Sequence, residues 1–459
     1  MQLNQGSISE VWGKKKIKNL FAPVDNATIV LFRIMFGGIM FWEVTRYFRY
    51  DWIPRYWMDP YFNFSYTPFN FQPLPGDGMI YLWYALGLLS LCILFGAFYR
   101  VSIVIFFLLF TYTFLLEQAR YLNHFYLVCI VSFILMFIPA HRSFSIDAWL
   151  SQKIRSKYNP AWQLWLIRFT IGVPYFFGGI AKINPDWLRG YPLHNWLLDD
   201  LDFPIIGKYF TEDWMILIMS YSRLILDLAV VPVLLFKKTR VWGFIVICSF
   251  HLMNDQLFSI GIFPWFMMAA TTLYFAPEWP RKALNYILPK KGAPELPITS
   301  EFQYNKKTFI VLVIFVTILV VTPFRHLLIK GNVLWTEEGH KYSWHMKLRG
   351  KYGTTEFLIR NKYDSEVVKL NKDGYLYDWQ DSKMEGNPIM IWKFVQFMKK
   401  ELEMMGQDVE IYVEAQASLN GREYEYIIDP NVDLASVKMK FFGHNDWILP
   451  STVPLSMQR

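Results

Sequence analysis

Residues 162–182 read WQLWLIRFTIGVPYFFGGIAK, an apolar run interrupted by Gln163, Arg168 and Thr170 and closed by Lys182. Coiled into a helix, it spans about 30 Å, the thickness of a bilayer's hydrocarbon core. Its last turns, Pro174 to Lys182, hold Gly178 and Gly179. Glycines there let a neighbouring helix or ligand approach closely. A lysine at the end of a span has a bland reading, in which its amine snorkels to the interface. It also has a functional one, because ionisable groups within spans are costly and cluster at working sites.

Similar runs occur near 27–46, 78–97, 101–118, 124–140, 214–236, 241–256, 257–275 and 308–328, which predicts about nine transmembrane helices in all. The composition agrees: of 459 residues, 54% are hydrophobic, 19% aromatic and only 18% charged. That balance fits membrane rather than cytosol. Cys92, Cys129 and Cys248 each lie inside an apolar run without C-x-x-C spacing, so neither a disulfide framework nor a metal site is expected. The net charge of +8 comes from basic residues in short segments between runs, which speaks for membrane topology and against nucleic acid. Lys14, Lys15, Lys16 and Lys18 precede polar sequence instead of an apolar core, so no signal peptide is expected and the first span is retained.

With the N-terminus inside, the inner connections are Tyr99–Arg100, His141–Ala161, Lys237–Arg240 and Ala276–Lys307. They carry Arg142, Lys153, Arg155 and Lys157, then Lys237, Lys238 and Arg240, then Arg281, Lys282, Lys290, Lys291, Lys306 and Lys307. This obeys the positive-inside rule. The outer loop 183–213 reverses the balance, with Asp186, Asp199, Asp200, Asp202, Glu212 and Asp213 against Arg189 and Lys208. The expected organisation is a cytoplasmic segment 1–26, a membrane domain 27–329 and an extracytoplasmic α+β domain 330–459. In the last, Thr354–Arg360 and Asp408–Ala415 read as strands, Pro388–Met405 as an amphipathic helix and Asn420–Gly421 as a hairpin turn.

Three polar positions within spans stand out: Lys182, the pair Asn123 and His124 at the start of the fourth span, and His251 in the seventh. All three fall in the outer half of the bilayer, toward the C-terminal domain. As lone polar groups they would serve as hydrogen-bonded structural glue. Converging, they would form a site. The run Phe250–Gly261 holds too many polar groups for a lipid-facing helix, and a short external loop is its plain alternative.

Tyr121–Leu127, Ala181–Trp187 with Gly190–Tyr191, His251–Gly261, Glu278–Lys282, Arg325–Leu327 and Tyr342–Ser343–Trp344 carry a resemblance extending from about residue 25 to residue 350. In these stretches the chain resembles the vitamin K-dependent gamma-glutamyl carboxylase family, as a shorter, bacterial-type member with an HTTM-like membrane domain. The resemblance implies gamma-carboxylation of protein glutamate with vitamin K hydroquinone (phylloquinol or menaquinol), O2 and CO2, coupled to epoxide formation and requiring no metal. It assigns Lys182 as the base that deprotonates the quinol, a role open to lysine only as the neutral amine, which desolvation favours. Asn123 and His124 would hold and polarise the quinone oxygen, His251 would be a further active-site histidine, and Met253 and Phe258 would contact the cofactor. Arg349 and Lys351, beside Tyr342 and Trp344, would bind the glutamate carboxylate, arginine as a bidentate fork and lysine as a point charge. An exposed basic loop is their plain alternative.

The implied partners are a glutamate-containing protein or peptide and membrane lipid. Vertebrate members continue into a larger luminal region that binds a substrate propeptide. About 130 residues follow the last span here, so propeptide-directed carboxylation is not carried over. Two other functions fit the same features: a quinol epoxidase without glutamate carboxylation, and a non-enzymatic quinone- or lipid-binding membrane protein. The expected location is a bacterial inner membrane, with endoplasmic reticulum as the alternative.

Overall fold

The computed structural model describes residues 17–288, 302–363 and 366–454. Lys14, Lys15, Lys16, Lys290 and Lys291 of the expected inner segments lie outside the described residues. In chain order the principal helices of the first part are α1 (Ala27–Arg49), α2 (Gly78–Phe95), α3 (Tyr99–Leu116), α4 (Asn123–Phe137), α5 (Ala161–Ala181), α6 (Asp213–Leu235), α7 (Arg240–Phe258), α8 (Phe263–Thr271) and α9 (Lys306–Phe324).

Seven helices are long and apolar enough to cross a membrane among the described residues: α1, α2, α3, α5, α6, α7 and α9, the last continued to Leu328 by a 3₁₀ turn. The fourth and eighth expected spans are shorter, α4 with 15 residues and α8 with nine. At 1.5 Å per residue, α8 covers only about 14 Å. The apolar run 257–275 is broken because α7 continues through Phe258, after which Ser259 (φ 46°) and Gly261 (φ 70°) take left-handed conformations that end a helix. Pro264 then sits in the first turn of α8, where its missing N–H costs nothing.

Outward faces carry Leu88, Leu108, Trp242 and Val311, all exposed, as lipid-facing positions require. Inward, Phe36 meets Phe106 and Phe266 edge-on, and Tyr47 stacks on Trp83 with centroids 3.9 Å apart. Gly37 sets the separation of α1 and α2, since a Cβ there would lie 2.5 Å from the Leu94 nitrogen.

A two-stranded pair, β1 (Pro23–Asp25) with β2 (Tyr158–Pro160), fastens the start of α1 to the start of α5. The C-terminal part is an antiparallel sheet of order β4-β3-β5-β6, with β3 Lys351–Asn361, β4 Val367–Lys369, β5 Val409–Leu419 and β6 Glu425–Tyr426. Alternate residues of β5, Val409, Ile411, Val413, Ala415 and Ala417, point into the core, as the two-residue period of a strand requires. Pro388–Met404, here α10, packs Ile391, Phe394, Val395 and Met398 into that same core. Asn420 and Gly421 both have positive φ, 57° and 84°, and form a tight turn, closed by the Arg422 N–H on the Leu419 carbonyl, at the start of the connection from β5 to β6.

The two parts are tied together at the loop after α5. Arg422 donates to both carboxylate oxygens of Asp186, at 2.7 and 2.8 Å, and Asn420 Nδ2 adds a third bond of 2.8 Å. Burial pushes the Asp186 carboxyl up, but these donors outweigh it and hold the group below its ordinary value.

Candidate active site

One face of α5 carries Tyr175, Gly178, Gly179 and Lys182, spaced to lie in line along the helix. The glycines bring α6 close: a Cβ on Gly179 would stand 2.6 Å from Leu228 Cδ2 and 3.3 Å from Asp227 Cβ. Because of that approach, Lys182 Nζ donates to Asp227 Oδ2 at 2.7 Å and to the Gly178 carbonyl at 3.0 Å. Both partners are buried. The indole of Trp187 lies 5.2 Å from the amine.

One turn before Asp227 on the same face of α6, Arg223 is stacked over Phe250 and Phe258 and donates to Asn254 Oδ1 at 3.1 Å. Its buried Nε has no partner. On α7, His251 Nε2 is 2.8 Å from the Tyr175 hydroxyl. The Phe263 ring stands between two imidazoles, 5.8 Å from His124 and 5.9 Å from His251. The Tyr121 hydroxyl donates to Asn123 Oδ1 at 3.0 Å and accepts the Tyr342 backbone N–H at 2.7 Å. The first turn of α4 is thereby fixed to the Tyr-Ser-Trp segment.

These groups surround a cavity of about 950 Å³ between the helices and the C-terminal part. Asn123, His124, Lys182, His251, Phe258, Arg349 and Lys351 all line it. Met253, Tyr342 and Trp344 are not among its lining residues. Met253 is two residues from His251, which on a helix turns it away from that face, and it packs against the C-terminal core. Trp344 is buried in the helical core 5.1 Å from the Tyr126 ring, and Tyr342 packs on Tyr121 and Tyr126. Both serve as plugs that seat the C-terminal part on the bundle.

Asp227, Arg223, Glu337 and the Glu43–Arg46 pair (2.6 Å) also line the cavity and were not singled out in the sequence. The cost of an intramembrane charge, applied to every ionisable residue in the runs at 27–46 and 214–236, would have found all but Glu337.

At the C-terminal wall, Arg349 Nη2 lies 2.9 Å and Lys351 Nζ 3.4 Å from the Glu337 carboxylate. Lys351 also donates to the Trp335 carbonyl. Burial pushes the Lys351 amine down to about 8 against the pull of Glu337. Burial, reinforced by Lys393, pushes Lys341 down to about 7. Burial likewise lowers His345 to about 3, leaving it a neutral imidazole.

Nine lysines and arginines line the cavity against three acidic residues, Glu43, Asp227 and Glu337, each of which is ion-paired. Such a wall attracts anions, and aromatic and apolar groups supply the rest of its surface. Among the described residues, no group of three His, Cys, Asp or Glu side chains is arranged to hold a metal.

A family model described as the HTTM domain matches residues 21–279. A second, described as the lumenal domain of vitamin K-dependent gamma-carboxylase, matches residues 304–453. No solved structure matches the chain. The cavity lies where the two matched segments meet, with Lys182, His124 and His251 from the first and Arg349 and Lys351 from the second.

Proposed function

Because the chain belongs to the vitamin K-dependent gamma-glutamyl carboxylase family, we propose that it carboxylates glutamate side chains of a protein or peptide at the γ carbon. The reaction would use vitamin K hydroquinone, O2 and CO2 and yield the epoxide as co-product. The observation that carries this reading is the shared cavity, in which Lys182 and the two histidines of the bundle face the same space as Arg349 and Lys351.

The residues present fit a quinol. The volume of about 950 Å³ is that of a small-molecule site, Phe263 offers a flat apolar surface between two imidazoles, and the buried Arg223 Nε awaits an acceptor. Oxidation of the hydroquinone by O2 would supply the driving force for removing a proton from an otherwise non-acidic carbon.

The protein's own groups do the rest. Lys182 takes the quinol hydroxyl proton at Nζ, which it can do only as the free amine. Asp227 Oδ2, at 2.7 Å, is placed to hold the proton that the amine must first give up. Asn123, oriented by Tyr121, and His124 fix the quinone oxygen, while His251 is held by Tyr175. Arg349 and Lys351 receive the glutamate carboxylate. Seating the substrate between the helices and the C-terminal part would limit the water that could quench a carbanion.

In this reading the N-terminus is cytoplasmic, the C-terminal domain extracytoplasmic, and the membrane a bacterial inner membrane, with endoplasmic reticulum as the alternative. The test is to supply lipid-reconstituted protein with vitamin K hydroquinone, labelled CO2 and a glutamyl peptide, and to measure epoxide and incorporated label. Both are expected, and Lys182→Ala should abolish both. A second reading is quinol epoxidation without carboxylation, in which Glu337 would itself occupy the carboxylate position between Arg349 and Lys351. Epoxide without label would establish it.

A further inference from the structure

Glu337 follows the short helix Val333–Thr336 and precedes the Tyr-Ser-Trp segment. Its backbone is left-handed, φ 65°, a conformation that a residue with a Cβ seldom adopts without compensating contacts. Those contacts are to cations: Arg349 Nη2 at 2.9 Å and Lys351 Nζ at 3.4 Å. The next residue, Glu338, faces the other way and accepts from the Asn445 backbone and side-chain N–H groups, both at 2.9 Å, inside the C-terminal domain. Of two adjacent acids, one is therefore structural and one lines the cavity.

Lys351 is partly used: its amine donates to Glu337 and to the Trp335 carbonyl, which leaves one of its three N–H donors. Arg349 is half used. Its Nη2 meets Glu337, whereas its Nη1 is buried with no hydrogen-bond partner. A buried guanidinium N–H left unsatisfied is a strong donor waiting for an acceptor, and this residue borders the cavity. A planar fork anchored by an ion pair at one nitrogen is restricted in orientation, so its remaining donors are less free to rotate. Without Glu337, the Arg349 and Lys351 charges would repel each other and the fork would swing.

We propose that Glu337 is a positioning residue that holds Arg349 so that Nη1 receives the γ-carboxylate of a substrate glutamate. The inference rests on the carboxylase reading for its substrate, but its direct test is binding rather than turnover.

The test uses the full-length chain in lipid, with a short peptide carrying one glutamate and the same peptide carrying glutamine, titrated against wild type, Glu337→Gln, Glu337→Asp and, as a structural control, Glu338→Gln. Wild type should prefer the glutamyl peptide. Glu337→Gln should weaken glutamyl binding by a factor on the order of ten or more, the scale of breaking a buried charge pair, and leave glutaminyl binding unchanged. Glu337→Asp should recover part of the loss. Equal binding of the two peptides by wild type overturns the inference. So does tighter glutamyl binding by Glu337→Gln, which would make Glu337 an internal competitor for the fork. Loss of the wild-type carboxylation signal with the Glu337-dependent binding intact would sink the carboxylase reading and leave the inference standing.

Discussion

Lys182 Nζ lies 2.7 Å from Asp227 Oδ2, in a pair whose two side chains are almost wholly removed from solvent. The residues are 45 positions apart in the chain. Breaking such a pair leaves one uncompensated buried charge, which costs about 3–5 kcal/mol, whereas replacing both partners by apolar groups of similar size is close to neutral. Asp227→Asn should therefore lower thermal stability in lipid by that amount and abolish epoxide formation. The double variant Lys182→Met with Asp227→Leu should regain the stability but not the activity. A stable Asp227→Asn protein with full activity would refute the pairing's role.

Gly179 allows α5 and α6 to meet at that pair, because its Cβ would fall 2.6 Å from Leu228 Cδ2. Gly179→Ala should cost about 1–3 kcal/mol through overpacking. Trimming the neighbour, as Gly179→Ala with Leu228→Ala, should recover part of the activity lost. Unfolding curves and epoxide yields for the single and double variants decide it.

The C-terminal wall should make glutamate binding pH-dependent. Lys351 is lowered to about 8 by burial, so its positive charge disappears as pH rises through that value. The KM for a glutamyl peptide should rise between about pH 7 and 9, and Lys351→Met should flatten the profile. Stability should move the other way. Between a folded pKa of about 8 and the ordinary lysine value the unfolded chain binds more protons, so this group adds stability as pH increases. An unchanged KM across that range would remove Lys351 from carboxylate binding.

Asp186 and Arg422 should give an acid limit to the attachment of the C-terminal domain. The Asp186 carboxyl sits below its ordinary value, so its contribution is complete above the unfolded pKa of about 3.9 and is lost as pH falls through the folded one. Asp186→Asn should cost about 3 kcal/mol near neutrality and remove this part of the acid sensitivity. Thermal unfolding of both proteins as a function of pH is the measurement.

Much of the architecture is legible in one dimension. The sequence expectation for β3, Thr354–Arg360, lies inside the strand Lys351–Asn361, and Pro388–Met405 differs from its helix by one residue. Both depend on local periodicity. The run at 257–275 misleads because hydropathy does not register the left-handed backbone at Ser259 and Gly261, which cuts a second span down to nine residues.

What the sequence alone determined is the long spans, the two main strands and the amphipathic helix of the C-terminal part, since bilayer thickness, the two-residue strand period and the turn-forming Asn420–Gly421 pair are all local constraints. Its resemblance to a known family also singled out Lys182, Asn123, His124, His251, Phe258, Arg349 and Lys351 as candidates, and the fold collects these around one cavity. Which charges meet was decided only in three dimensions. The rotation of α6 about its axis brings Asp227 and Arg223 to Lys182, the rotation of α7 turns Met253 away from His251, and the left-handed turn at Glu337 carries its carboxylate to Arg349. Tyr342 and Trp344 could be read as site residues from their motif, yet burial against Tyr126 makes them the packing that seats one domain on the other. Ion pairing and facing are properties of distance and rotation between elements far apart in the chain, and no local pattern encodes them.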